Sequence, residues 1–198
     1  QAHFLSLRGS AALSQFRLDK LYSTLKQTAP DIAHIATEFV HFAFSEQALD
    51  STTKNTLQQI LTYGPKAGHE TPQGELFLVI PRIGTISPWA SRATDIAHNC
   101  GLEGLLRLER GIAYYVTTHS GQPLSTAEKQ ALRTAIHDRM TETIVHSLAD
   151  AEKLYHHADP KPLSSVDILA GGKAALDAAN SDMGLALSPD VVDYLLEN

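Results

Sequence analysis

The stretch Pro81–Gly101, PRIGTISPWASRATDIAHNCG, concentrates the residue types from which a reactive site is built. It holds the chain's single cysteine and single tryptophan, together with Arg82 and Arg92. A thiol at Cys100 could serve as a nucleophile, and Arg82 could anchor an anion. A nucleophile of the hydrolase type sits on a strained strand-to-helix elbow with glycines on both sides. His98-Asn99-Cys100-Gly101 instead falls at the end of a helical pattern, on its apolar side, so Cys100 is expected to be a small buried hydrophobe. His98 is a neighbour in sequence only, and no downstream His-x-Glu pair follows to complete a triad. The better candidate is the loop Pro81–Ser87. It runs from a buried strand into a helix N-terminus, where unpaired N–H groups and the helix dipole attract negative charge. Arg82, Thr85 and Ser87 supply further donors, Trp89 follows, and Arg92 lies a turn further on. Two readings stand: the loop binds a phosphate or nucleotide, or it docks on another part of the protein. The second is preferred. No residue is assigned to catalysis, to a cofactor or to a metal.

Two other patterns carry less. Gly171-Gly172-Lys173 resembles a phosphate loop, but that signature needs glycine five residues before Gly172 and Ser or Thr after the lysine. Asp167 and Ala174 stand there, so the segment reads as a loop entering a helix. The ten histidines, among them His34, His41, His69, His98, His119, His137, His146 and the pair His156-His157, show no HExxH or His-x-His arrangement with acidic partners. They read as surface or structural residues.

The elements that must carry these residues alternate. His3–Arg8 reads as a strand ended by Gly9-Ser10. Ser10 is placed to cap a helix carrying Leu13, Phe16, Leu21 and Leu25 at helical spacing, and Pro30 ends that region. Ile32–Phe44 is β-rich, with Val40, Phe42 and Phe44 on one face and Phe39, His41 and Ala43 on the other. Asp50 or Ser51 caps a second helix with Leu57, Ile60 and Leu61, closed by Gly64-Pro65. A polar loop with Gly68, Pro72 and Gly74 leads to a buried strand, Leu76–Ile80. Ser87-Pro88 opens the next helix, serine at the N-cap and proline at the first turn, with Trp89, Ala93, Ile96, Ala97 and Cys100 on one face. Leu106–Thr118 is a strand. Ser125-Thr126-Ala127-Glu128 is a capping box, and Leu132, Ile136, Met140 and Ile144 behind it predict a helix running to about Ala149.

The order strand-helix-strand-helix thus occurs twice within about 150 residues, shifted by roughly seventy. This predicts an α+β fold: two similar units related by a pseudo-two-fold axis, with helices on one side of a mainly antiparallel sheet in a two-layer arrangement. After Asp150 the prolines, glycines and short helical pieces give too few apolar residues for a separate core. The predicted division is 1–149 and 150–198, the second part mostly helical. Its last helix, opened by Ser188-Pro189, carries Val191, Val192, Leu195 and Leu196 and exposes an apolar face unless something covers it.

Composition limits the classes of function. The 198 residues are 43% hydrophobic and 19% charged, with a formal net charge of −6. No Lys/Arg cluster offers phosphate neutralisation, which argues against nucleic acid and anionic membranes as partners. One cysteine excludes an internal disulfide framework and fits a reducing compartment. The N-terminus lacks a secretory pattern, and no apolar run nears the ~20 residues of a membrane span. The expectation is a cytoplasmic protein.

The block Pro81-Arg82-Ile83-Gly84-Thr85-Ile86-Ser87-Pro88-Trp89-Ala90-Ser91-Arg92-Ala93-Thr94-Asp95-Ile96 closely resembles the N-terminal region of the large single-chain formylglycinamide ribonucleotide amidotransferases, also called phosphoribosylformylglycinamidine synthases. Leu7-Arg8-Gly9-Ser10, Tyr63-Gly64-Pro65, Arg107-Leu108-Glu109-Arg110-Gly111, His137-Asp138-Arg139-Met140-Thr141-Glu142 and Gly184-Leu185-Ala186-Leu187 extend the likeness in order and spacing over the whole chain. The resemblance implies an ATP-dependent C–N ligase of purine biosynthesis. That enzyme converts formylglycinamide ribonucleotide, ATP and glutamine to formylglycinamidine ribonucleotide, ADP, phosphate and glutamate, with ammonia passed from a glutaminase domain to a synthetase domain that binds Mg and ATP. It implies that residues 1–149 resemble a fused pair of the small separate subunit of the multi-subunit enzyme, and that 150–198 resemble the linker to the synthetase domain. The family's Asn-Ser-Glu-His synthetase motif, its ATP and magnesium ligands and its glutaminase triad have no counterpart in these residues, and Cys100 does not match its nucleophile. The segment is therefore expected to be the N-terminal piece of a longer chain and catalytically silent alone. Its expected partners are the synthetase and glutaminase domains.

Overall fold

A computed structural model describes residues 3–64, 71–155 and 165–197. These residues fall into two compact units, one up to Tyr155 and one from Ser165 onward. The first contains β1 (His3–Arg8), α1 (Gln15–Leu25), β2 (Ile32–Ser45), α2 (Ser51–Leu61), β3 (Glu75–Pro81), α3 (Pro88–Asn99), β4 (Leu105–Thr118), α4 (Thr126–Ile136), β5 (Glu142–Val145) and a 3-10 turn, Ala149–Leu154. The second contains α5 (Ile168–Met183) and α6 (Pro189–Glu197).

The strands form one antiparallel sheet in the order β1-β2-β4-β3-β5. The two long strands, β2 and β4, pair at the centre, with His41 opposite Arg110 and Phe42 opposite Glu109. β1 and β3 flank them, so the doubled strand-helix-strand-helix order becomes two halves meeting at β2 and β4. This is the α+β arrangement expected from the sequence.

Side chains alternate across a strand, and the burial follows that alternation. On one face, Ile35, Phe77, Val79, Tyr114 and Val116 pack with Leu21 and Leu25 of α1 and Leu132 of α4. Further along the same face, Ala43 and Leu108 pack with Leu57 and Leu61 of α2 and Ala97 of α3. All four helices therefore lie on this side, in two pairs. On the other face Val40, Phe42, Phe44, Leu78 and Ile80 are covered in part by Ala151 and Leu154. Each fully buried Leu, Ile or Phe stabilises the fold by roughly 2 kcal/mol, so both faces contribute.

The helix starts at Asp50, Ser87 and Ser125 are as expected. Asp50 accepts from Thr53 N at 2.7 Å, Ser87 Oγ accepts from Ala90 N at 3.0 Å, and Ser125 with Glu128 forms a reciprocal capping box. Four expectations are corrected. The cap of α1 is Ser14, not Ser10. Gly9 N still donates to Phe39 O, and Phe39 N to Ser10 O, so the chain stays in the β1–β2 ladder past Ser10. Gly9 permits this close approach, since a Cβ there would stand 2.8 Å from the His41 ring. Phe16, assigned to an apolar face, is 76% exposed.

The helix predicted to reach Ala149 ends at Ile136. Asp138 folds a turn in which Met140 N donates to its carboxylate and Glu142 N to its carbonyl. The β-branched run Thr141, Thr143, Ile144, Val145 then continues as β5. Ile144 packs on the core from that strand, whereas Met140 is 77% exposed. Cys100 is exposed rather than buried. The buried line of α3 is Ala90 and Ala97, and Cys100 has left helical geometry as the C-cap. Gly171-Gly172 does lead into a helix, the part of α5 that runs on to Met183. Asp167 caps a helical turn before it, and Gly172 breaks the helix internally at φ 53°. Pro65, Gly68, His69, His156 and His157 lie outside the described residues.

In the second unit Lys173 Nζ bonds Asp193 at 2.6 Å, and the Asn180 side chain bonds the backbone of Leu187 on both its N–H and C=O. Val192 is buried, while Val191, Tyr194, Leu195 and Leu196 of α6 are exposed. Among the described residues no helix is long and apolar enough to cross a membrane.

Candidate functional site

The loop Pro81–Ser87 leaves β3 at the sheet edge and returns into α3 across a buried ion pair. Arg107 and Glu109 stand two residues apart on β4, hence on the same face, and Glu109 is 0% exposed. The Arg107 guanidinium bonds the Glu109 carboxylate. It also donates to Thr85 O and to Leu154 O, each at 2.7 Å. Glu109 Oε2 accepts from Ser87 Oγ at 2.9 Å, and Oε1 from Ser87 N at 3.3 Å. The Ser87 hydroxyl thus caps α3 with its oxygen and gives its proton to Glu109. A carboxylate of the protein itself occupies the helix start, with the charge the helix dipole favours there.

The five loop residues singled out in the sequence separate into two groups. Thr85 and Ser87 tie the loop to itself and to the sheet: the exposed Thr85 hydroxyl donates to Arg82 O at 2.6 Å, the Thr85 carbonyl receives Arg107, and Ser87 bonds Glu109. Arg82 is pinned by its backbone, donating to Thr141 O at 2.9 Å, while its side chain is exposed. Arg92 is exposed on α3. Trp89 is half-buried and faces a cluster that no local pattern announces. The Arg110 guanidinium lies over the Phe39 ring at 4.4 Å and near the Trp89 ring at 5.0 Å, and the His41 ring lies 5.6 Å from Trp89. Arg110 Nη1 donates to the Tyr63 hydroxyl at 3.3 Å, and that hydroxyl lies 2.6 Å from His41 Nε2. With its oxygen accepting from Arg110, Tyr63 directs its proton to a neutral His41. Burial, and then the nearby Arg110 charge, push the His41 pKa down to about 4.

Two cavities open beside this cluster on the helical face. One, of about 440 Å³, is bordered by Arg82, Ile86, Arg110 and Met140. The other, of about 620 Å³, is bordered by Ile60, Tyr63, Trp89, Arg92 and Ile96. Pro88 borders both. Arg110, Phe39, His41 and Tyr63 were not assigned to the site from sequence, because their contacts span long separations. Arg107 and Glu109 carried one usable signal: opposite charges two apart in an apolar strand must share a face.

Chemistry elsewhere is quiet. His98 Nε2 donates to Leu105 O at 2.6 Å, so this nitrogen is not a base for Cys100. Among the described residues no three or more His, Cys, Asp or Glu side chains come together to hold a metal ion.

Fold and site together define a duplicated α+β module whose prominent loop is tied to its own sheet and whose helical face carries a cleft of arginines and apolar side chains. A sequence model of the family described as formylglycinamide ribonucleotide amidotransferase N-terminal matches residues 38–155, from within β2 to the end of the 3-10 turn, and the chain belongs to that family. Membership makes it part of a larger multi-domain amidotransferase of purine biosynthesis.

Proposed function

We propose that this segment is the structural N-terminal part of that enzyme. It docks on the synthetase and glutaminase domains and helps couple glutamine hydrolysis to the ligase reaction, so that ammonia passes between them. In this reading residues 150–198 are the linker toward the synthetase domain, and Mg and ATP are bound by the full-length enzyme outside this segment. The protein works in the cytoplasm, and the isolated chain consumes neither glutamine nor ATP. The observation that carries the reading is the internal use of the loop's anion-binding groups. Glu109 takes the hydroxyl and N–H of Ser87, so the protein's own carboxylate holds the groups that a phosphate at that helix start would use. What the loop presents outward is Arg82, Ile83 and Ile86, with Trp89 and Arg92 beside them, a set suited to contact with protein.

The test is coupling in the full-length enzyme. Arg82→Ala and Trp89→Ala are expected to raise the glutamate released per formylglycinamidine ribonucleotide formed, or to lower the assembly's thermal stability. Wild-type coupling and stability in both variants refutes docking through this loop. Glutaminase or ATPase activity of the isolated chain above background refutes its silence.

A further inference from the structure

We propose that the arginine-lined cleft on the helical face holds an acidic protein segment with interleaved apolar residues, Arg110 and Arg82 receiving its carboxylates. This rests on the docking reading and names the chemistry of the docked partner.

Arg110 is half-buried, and its guanidinium face is fixed by Phe39 and Trp89. The rings leave its edge, where the N–H donors lie, as the binding side, and among the described residues only Tyr63 takes one of them. Among the described residues no carboxylate lies within ion-pair distance of Arg82, Arg92 or Arg110. A partly desolvated guanidinium without a counter-charge is costly, and a carboxylate binding its fork in bidentate fashion removes that cost. Because the rings already hold the side chain, little rotamer entropy is lost on binding.

Three arginines around adjoining cavities, with no ion-pair partner among the described residues, also run against the chain's net charge of −6. Glu142 borders the smaller cavity, but its Oε2 accepts from Asp138 N in the turn before β5. The walls decide between a small anion and a peptide. Ile86 is 59% exposed, Met140 is exposed still further, and Trp89 and Ile96 line the second cavity. A phosphate would satisfy the arginines and leave this apolar surface wet. A segment alternating acidic and apolar residues covers both.

Trp89 is the chain's single tryptophan, so its fluorescence reports occupancy of the cleft. The 198-residue chain is titrated with peptides of roughly 15 residues, about four helical turns, tiling the remaining domains of the full-length enzyme. Inorganic phosphate and ATP are titrated in parallel. At least one acidic, apolar-containing peptide is expected to shift Trp89 emission. Its affinity should fall about tenfold in Arg110→Gln, in Arg82→Gln, and when its own carboxylates become amides. Should Arg110→Gln fail to fold by circular dichroism, Arg82→Gln, at an exposed position, carries the test.

Binding only by neutral or basic peptides overturns the acidic partner and leaves docking standing. A Trp89 response to phosphate or ATP alone overturns it in favour of a small anion. No response to any peptide overturns both this proposal and docking through the cleft.

Discussion

Lowering the pH from about 7.5 to about 5 protonates His41 in the unfolded chain and not in the folded one. The folded value is about 4, held down by burial and by Arg110, against 6.5 for an open histidine. Below pH 6.5 the unfolded state binds the extra proton, so stability falls with pH until the folded form also titrates near 4. At 1.36 kcal/mol per pH unit, the loss at pH 5 is about 2 kcal/mol. Urea unfolding of the wild-type chain and of His41→Gln at both pH values isolates this contribution. The other histidines cancel in the difference between the two proteins. With a urea dependence of ~2 kcal/mol per M, the wild-type midpoint should drop by about 1 M more than that of the variant. Parallel pH profiles would refute the buried neutral state of His41, and with it the proton placement in the Arg110–Tyr63–His41 chain.

Ser87→Ala removes the α3 cap and a hydrogen bond to a buried carboxylate. It should cost about 3 kcal/mol, with Ser87→Thr recovering most of this in urea unfolding; a loss near zero refutes the double role. Gly111→Ala places a Cβ 2.8 Å from Val79 O, so thermal unfolding should show a loss of about 2 kcal/mol, and wild-type stability would contradict the close strand approach. Cys100, exposed at the end of α3, should react with Ellman's reagent in the native chain without denaturant. Reaction only after unfolding refutes its exposed position.

Local chemistry was readable wherever one short segment decided it. Asp50, Ser87 with Pro88, and Ser125 with Glu128 mark helix starts because a side chain a few residues away satisfies the orphan N–H groups. The strands and the doubling followed from apolar runs between such marks. Helical spacing misled at Met140 and Ile144, which repeat the four-residue step of Leu132 and Ile136 by coincidence, while the Asp138 turn intervenes. Ser10 looked as good a cap as Ser14, and only the backbone bonds with Phe39 distinguish them. The sequence drew attention to Arg82, Thr85, Ser87, Trp89 and Arg92 but not to their partners. Arg110 and Tyr63 meet across 47 positions, and Arg107 meets the Leu154 carbonyl across the same separation. Such pairings are set by strand register, which no window of sequence contains.

The placement of β5 has a consequence for self-association. Two halves meeting at β2 and β4 would each offer an outer strand, β1 on one side and β3 on the other, with unpaired N–H and C=O groups. A sheet open on both sides can add copies without limit; one open on a single side stops at a pair. β5 covers β3 from Leu78 to Pro81, and the His146 ring donates to Leu76 O just beyond. These four residues, which helical spacing had given to α4, become the outer strand on that side, and so short a strand is a poorer template for strand addition than the six-residue β1 on the other flank.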